Sequence, residues 1–312
     1  MNINRTKAAR RMATALLATL TLVTAAAASA AAQQQAQRRA PARRLSNSRS
    51  SFSGGLYDEQ SPAQTPQEEE EEEFIKPSRP TLADPAEFQK PGVLQVEYGY
   101  DGQFRSDEFR AQQTALLALR YAATRRLLLQ LDLDTVKSET DAETRVRRTG
   151  LGDTRLGFQV LALEDNERHP ALAFAYRVKL PSASEAKGLG TGRFDHRLMG
   201  LLSKKVNRTD FDFNAAFLVN GREGAPGWEH GGQAAFSVSH EFENRFGVQG
   251  ELSGQSIEEA QPRGVYALGA VTYKVNRRLV FDGGLRFGLN PTAPRVGVVA
   301  GVTVGAADFR RR

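Results

Sequence analysis

The stretch Leu127-Leu128-Leu129-Gln130-Leu131-Asp132-Leu133-Asp134 sets Leu127, Leu129, Leu131 and Leu133 on one face of an extended chain and Gln130, Asp132 and Asp134 on the other. The same period of two returns at Leu172, Phe174, Tyr176 and Val178 against Ala173, Ala175, Arg177 and Lys179. It returns again at Leu279, Phe281, Leu285 and Phe287 against Asp282 and Arg286, and at Val296, Val298, Ala300, Val302 and Val304. Read outward from these, the chain from Val93 onward is a series of alternating segments near 93–104, 110–121, 127–138, 150–163, 170–180, 193–205, 209–219, 230–241, 245–257, 262–275, 278–288 and 294–304. Each is close to the roughly 9–11 residues a tilted strand needs to cross a bilayer.

Alternation alone also describes a soluble β-sandwich. Three features point instead to an antiparallel up-and-down barrel of about twelve strands in a membrane. Charged or small residues recur on the polar face of strand after strand, and a charge facing lipid at mid-depth costs about 2–4 kcal/mol, so these residues must face inward. Connections alternate in length: tight turns at Ala123-Thr124-Arg125, Asn207-Arg208, Asn244-Arg245 and Asn276-Arg277, and a slightly longer one at 165–167, against longer loops at 139–149, 181–192 and 220–229 and shorter ones near 105–109, 257–262 and 289–293. Short turns face the periplasm in outer-membrane barrels, and an even strand count puts both termini there. Finally, Tyr121, Phe211, Phe246 and Tyr273 sit beside tight turns, where they would form a periplasmic aromatic girdle. The recurrent Asn-Arg in the turns reflects backbone preference rather than a binding motif.

Ahead of the strands, Arg5, Lys7, Arg10 and Arg11, the apolar run Ala13 to Thr24 and the small residues Ala28-Ser29-Ala30 have the layout of a cleavable secretory signal over 1–30. The net charge of +6 owes much to those four cations; without them 38 of the 42 basic residues remain against 36 acidic ones, close to balance, and nucleic-acid binding loses its support. With no cysteine, disulfides and thiolate metal sites are excluded. Residues 31–90 read as a disordered periplasmic arm containing the acidic run Glu68 to Glu73, a solvated linker because like charges extend a chain. Pro77, Pro80, Pro85 and Pro91 carry it, extended, into the barrel over 91–312.

Several motifs, Arg79-Pro80, Gly92 to Tyr100, Gly150 to Gly157, Ala173 to Tyr176, Lys179-Leu180-Pro181 and Gly188 to Gly192, together resemble an outer-membrane barrel transporter family labelled as the putative MetA pathway of phenol degradation. The resemblance spans roughly 78–304. It implies a Gram-negative outer-membrane, porin-like barrel passing small, often aromatic or hydrophobic molecules. The chain departs from the pattern in its acidic arm and in continuing past Phe309 to Arg310-Arg311-Arg312, where many such barrels end on an aromatic residue read by the barrel assembly machinery.

Catalysis has little to work with. Of four histidines, His240 adjoins Ser239 and His196 adjoins Asp195, and sequence neighbours in a strand point to opposite faces. His169 and His230 stand apart, and the glycines of 188–192 precede no helix that would make a phosphate cradle. No enzyme, cofactor or metal site is expected. The expected lumen lining is Glu97, Arg120, Asp132, Asp134, Asp153, Arg155, Arg177, Lys179, Asp212, Glu251, Asp282 and Arg286. Such mixed charge either lines a water path or pairs across the interior and closes it. A twelve-strand ring allows a narrow pore at most. The sequence thus favours a passive small-solute channel, with a closed structural or interaction barrel as the alternative. Its expected partners are outer-membrane lipid, a small solute and the assembly machinery; oligomeric state stays open.

Overall fold

The computed structural model describes residues 73–310 apart from 223, 244 and 259–261, so the signal segment and residues 31–72 of the arm lie outside the described residues. The described residues form thirteen strands: β1 (Val93–Phe104), β2 (Phe109–Ala122), β3 (Leu127–Asp141), β4 (Arg147–Gly150), β5 (Thr154–Leu163), β6 (Ala171–Leu180), β7 (Asp195–Val206), β8 (Thr209–Gly221), β9 (Trp228–Glu241), β10 (Phe246–Gln255), β11 (Gly264–Asn276), β12 (Leu279–Gly288) and β13 (Val296–Asp308). A single 3₁₀ turn, Glu185–Lys187, interrupts this order. Neighbours pair antiparallel all the way round, and β1 closes the ring on β13 from Val93↔Asp308 to Phe104↔Val296. Closure removes the free edges that an exposed sheet would present.

The ring has twelve staves because β4 and β5 share one. Both pair with β3, β4 over Lys137↔Gly150 to Thr140↔Arg147 and β5 over Leu127↔Val160 to Leu133↔Thr154. The single strand expected over 150–163 is therefore broken at Leu151–Asp153. Across the break Gly152 N still donates to Asp134 O at 2.9 Å, so the wall stays hydrogen-bonded. A Cβ on Gly152 would lie 2.5 Å from Asp134 Cβ, which is why a glycine sits at this close approach.

The faces fall as the alternation requires. Phe174 is 53% exposed while its neighbour Ala173 is fully buried, and Leu285 is 48% exposed beside Arg286 at 3%. Exposed Phe, Leu and Val side chains recur on the outward positions of β5 to β8, β12 and β13. An apolar wall this extensive needs a hydrocarbon solvent. Among the described residues no helix is long and apolar enough to cross a membrane; the strands carry the crossing. At the tight ends, Asn207 turns the chain from β7 to β8 with φ 56°, a left-handed conformation in which Asn is enriched.

Candidate functional site: the barrel interior

The twelve residues expected to line the lumen are buried or half-buried, and most are bound in ion pairs or short hydrogen bonds. Arg120 meets Glu97 at 3.1 Å with both side chains essentially inaccessible. Arg155 pairs with Asp134 at 2.7 Å, Lys179 bridges Asp195 at 2.6 Å and Asp153 at 3.4 Å, and Arg286 pairs with Asp101 at 2.7 Å. Asp212 accepts from Ser203 Oγ at 2.5 Å. Asp132 accepts from Gln130 at 2.9 Å. Ionic groups this far from water are retained only when partnered, and here nearly every charge has its opposite within reach.

Arg177, Glu251 and Asp282 find their partners elsewhere: on residues 73–90. This segment, expected to extend into the periplasm as part of the arm, runs inside the ring instead. Arg177 donates to Asp84 at 2.7 Å. Glu251 Oε2 accepts from the backbone amides of Leu82 and Ala83 at 2.6 and 2.8 Å. Asp282 faces Arg79 at 3.7 Å. Further contacts reach β1 through Gln95 and Glu97, β5 through Gln159, β7 through Ser203 and β8 through Asn214. One short segment can touch side chains on so many staves only from within a closed ring.

The segment is a loop whose two ends meet: Lys90 N donates to Glu73 O at 2.9 Å. It enters and leaves at the tight-turn end, where Glu73 also pairs with Lys205 at 3.3 Å. Burial works to raise the Glu73 carboxyl, but the ammonium groups of Lys76, Lys205 and Lys274 outweigh it and hold the group below the usual carboxylate range. Compact loops with adjoining ends are packed by their own side chains and are commonly functional. The barrel wall is shaped for this one. Gly99 and Gly301 face each other in register on β1 and β13, and a Cβ on Gly99 would fall 2.0 Å from the Arg79 guanidinium carbon. Likewise a Cβ on Gly305 would meet Phe74 at 2.4 Å.

Part of the interior is also apolar, which a water-filled lumen would not tolerate. Leu161, Ala171, Ala173, Ala175, Met199 and Leu201 project inward from β5 to β7 and are covered by Ala86 and Phe88 of the loop. The loop residues were missed at the sequence level, although Met199 and Leu201 alternate with the outward Leu198 and Leu202 and so asked for a partner inside.

A cavity lies on each side of the loop. Toward the tight turns lies one of about 270 Å³, lined by Ile75, Thr81, Ala83, Asp212 and Phe246 among others. Toward the longer loops lies one of about 150 Å³, lined by Arg79, Leu82, Asp84, Asp101, Arg155 and Arg286 among others. Thr81 touches both, so Ser78–Asp84 is the partition between them. The longer-loop mouth is narrowed as well, because the 181–192 loop is ordered rather than free: Leu189 is buried and Lys179 donates to Thr191 at 3.0 Å.

The four aromatics expected as a girdle stand at strand ends beside tight turns. Phe246 and Tyr273 are register partners with ring centroids 4.8 Å apart, and Tyr121 meets Phe309 edge-on at 5.9 Å. Phe211 lies half-buried on β8 between Asp210 and the inward Asp212. A second aromatic set, not anticipated, lies toward the longer loops, where Tyr176, His196 and Trp228 contact in series at 6.1 and 5.4 Å. His240 is held by Thr209 at 2.9 Å, and although Ser239 and His240 both border the cavity toward the tight turns, as strand neighbours they direct their side chains to opposite faces of β9. Among the described residues no group of three or more His, Asp or Glu converges as a metal site would.

A closed ring of twelve antiparallel staves, apolar outside and ion-paired within, defines a transmembrane β-barrel of the outer-membrane type. The chain belongs to the family described as "Putative MetA-pathway of phenol degradation", whose pattern matches residues 78–304 and therefore begins inside the lumenal loop. None of the curated proteins compared with the chain matches it. Among solved structures it is similar to an outer membrane channel from Pseudomonas putida F1, with 12% identity and a TM-score of 0.55 over 74% of this chain and 99% of that one. It is also similar to the KdgM porin, with 9% identity and a TM-score of 0.47 over 68% of this chain and 99% of that one. At 12% identity the likeness to the Pseudomonas putida F1 channel is one of fold.

Proposed function

We propose that this protein is an outer-membrane channel for the passive passage of small solutes, inserted after export through a cleaved signal, with no covalent step. The observation that carries this reading is the pair of cavities within a charge-lined ring, separated by a loop with no regular secondary structure. The family supports it, and so does the fold shared with the Pseudomonas putida F1 channel. Small aromatic or hydrophobic compounds are the solutes suggested by the family description; the ionic lining favours those bearing a polar group. Tyr121, Phe211, Phe246 and Tyr273 serve as the periplasmic girdle on this reading, and outer-membrane lipid and the assembly machinery are its partners.

The opposite side-chain directions of the strand neighbours Ser239 and His240 favour a channel over an enzyme. The second reading, a closed structural or interaction barrel, draws on the same lumenal loop and on the density of internal ion pairs.

Stepwise ion current from the purified, folded protein in planar bilayers supports the channel, and silence favours the closed barrel. If current is seen, the double neutralisation Arg177→Gln with Lys179→Gln is expected to shift the reversal potential in a salt gradient toward cation preference, read on the fraction of protein that inserts. An unchanged potential would remove these two residues from the ion path.

A further inference from the structure

We infer that the lumenal loop 74–89 is a captive gate, which must withdraw toward the tight-turn end for the channel to conduct. This rests on the channel reading above.

The loop is attached in a way that permits withdrawal. Its two ends already meet at the tight-turn end through the Glu73–Lys90 hydrogen bond, so it can leave without rupturing any strand pairing. Its hold on the wall is made of side-chain and backbone groups rather than of a shared ladder. The attachments near the partition include Asp84 on Arg177, the Leu82 and Ala83 amides on the single Glu251 oxygen, Ser78 on Glu97, Asn214 on Asp84 O and, just beyond it, Ala86 N on Ser203 Oγ at 2.7 Å. Arg79 is seated between Gly99 and Gly301.

While these contacts stand, the partition Ser78–Asp84 separates the two cavities. Segments held by few regular hydrogen bonds are those that open at low free-energy cost. Water released into the vacated space would rehydrate Arg177 and Glu251, whose partners leave with the loop. The apolar patch of Met199 and Leu201 opposes opening, because withdrawal of Ala86 and Phe88 uncovers it, and so favours the closed state at rest.

The test uses the full mature chain, which contains no cysteine, so an engineered pair has no competitor. Ala86→Cys with Ser203→Cys joins the loop to β7 when oxidised. Gly99→Leu fills the niche of the Arg79 guanidinium and loosens the loop from the opposite wall. Folding of each variant is checked by its heat-modifiable migration on gels.

The expected result is loss of conductance in the oxidised pair, recovery on reduction, and a mean conductance about tenfold above wild type for Gly99→Leu, the response of a mostly closed two-state gate to a modest bias. A silent wild type alongside a conducting Gly99→Leu also supports the gate. Equal conductance in the oxidised and reduced pair would overturn the gate and leave the channel standing. Silence of every folded variant, Gly99→Leu and the reduced pair included, would overturn gate and channel together.

Discussion

Glu97→Ala is expected to destabilise the barrel by about 3–5 kcal/mol, the cost of leaving one member of a buried ion pair without its partner. Glu97 is 1% exposed and receives Arg120 at 3.1 Å, Ser78 N at 3.1 Å and Gln95 Nε2 at 2.7 Å. Its removal strands a fully buried guanidinium and frees one attachment of the lumenal loop in the same stroke. The paired replacement Glu97→Gln with Arg120→Met, which removes both charges, is expected to cost much less, since a neutral pair of similar volume avoids the uncompensated charge. Urea unfolding in lipid vesicles, followed by the fluorescence of the single tryptophan, Trp228, measures both. A double variant as unstable as the single one would show that shape rather than charge governs the site.

The second large effect belongs to the opposite face. Phe174→Arg is expected to cost about 2–4 kcal/mol of insertion free energy, because an arginine on the lipid-facing wall near mid-depth must be desolvated by hydrocarbon. Phe174 is 53% exposed, so no packing inside the protein is disturbed by the change. Phe174→Leu, equally apolar, should insert almost as well as wild type. The folded fraction in vesicles separates them, and equal insertion of the arginine and leucine variants would mean that this face meets water.

Why the strands were readable while the loop was not follows from how each is stabilised. Alternation in β3, β6 and β12 records two solvents, lipid and interior, and each residue answers to one of them locally. Expected and observed limits agree within a few residues for most strands, and β1 coincides at Val93–Phe104. The break at Leu151–Asp153 escaped because β4 and β5 both satisfy β3, so no change of pattern marks it apart from Gly150 and Gly152. The loop had no periodicity to read. Pro77, Pro80 and Pro85 and the preceding glutamates give it the composition of a solvated linker, and its order comes from partners far along the chain, such as Glu251 and Arg177. Alternation assigns the lining residues a face, but it does not assign partners. That Arg177 would meet Asp84, and Asp282 would meet Arg79, depended on a segment outside the ring in sequence and inside it in space.

Because the chain has no cysteine, single-cysteine variants at each position from 172 to 179, labelled with a small environment-sensitive fluorophore, report which side of the β6 wall each residue faces in lipid vesicles. Quenching by brominated lipid at 172, 174, 176 and 178, with protection at 173, 175, 177 and 179, is the predicted result. Quenching of the second set in place of the first, or equal response of all eight to a water-soluble quencher, would contradict a barrel that turns its apolar face to the membrane and its charges to the interior.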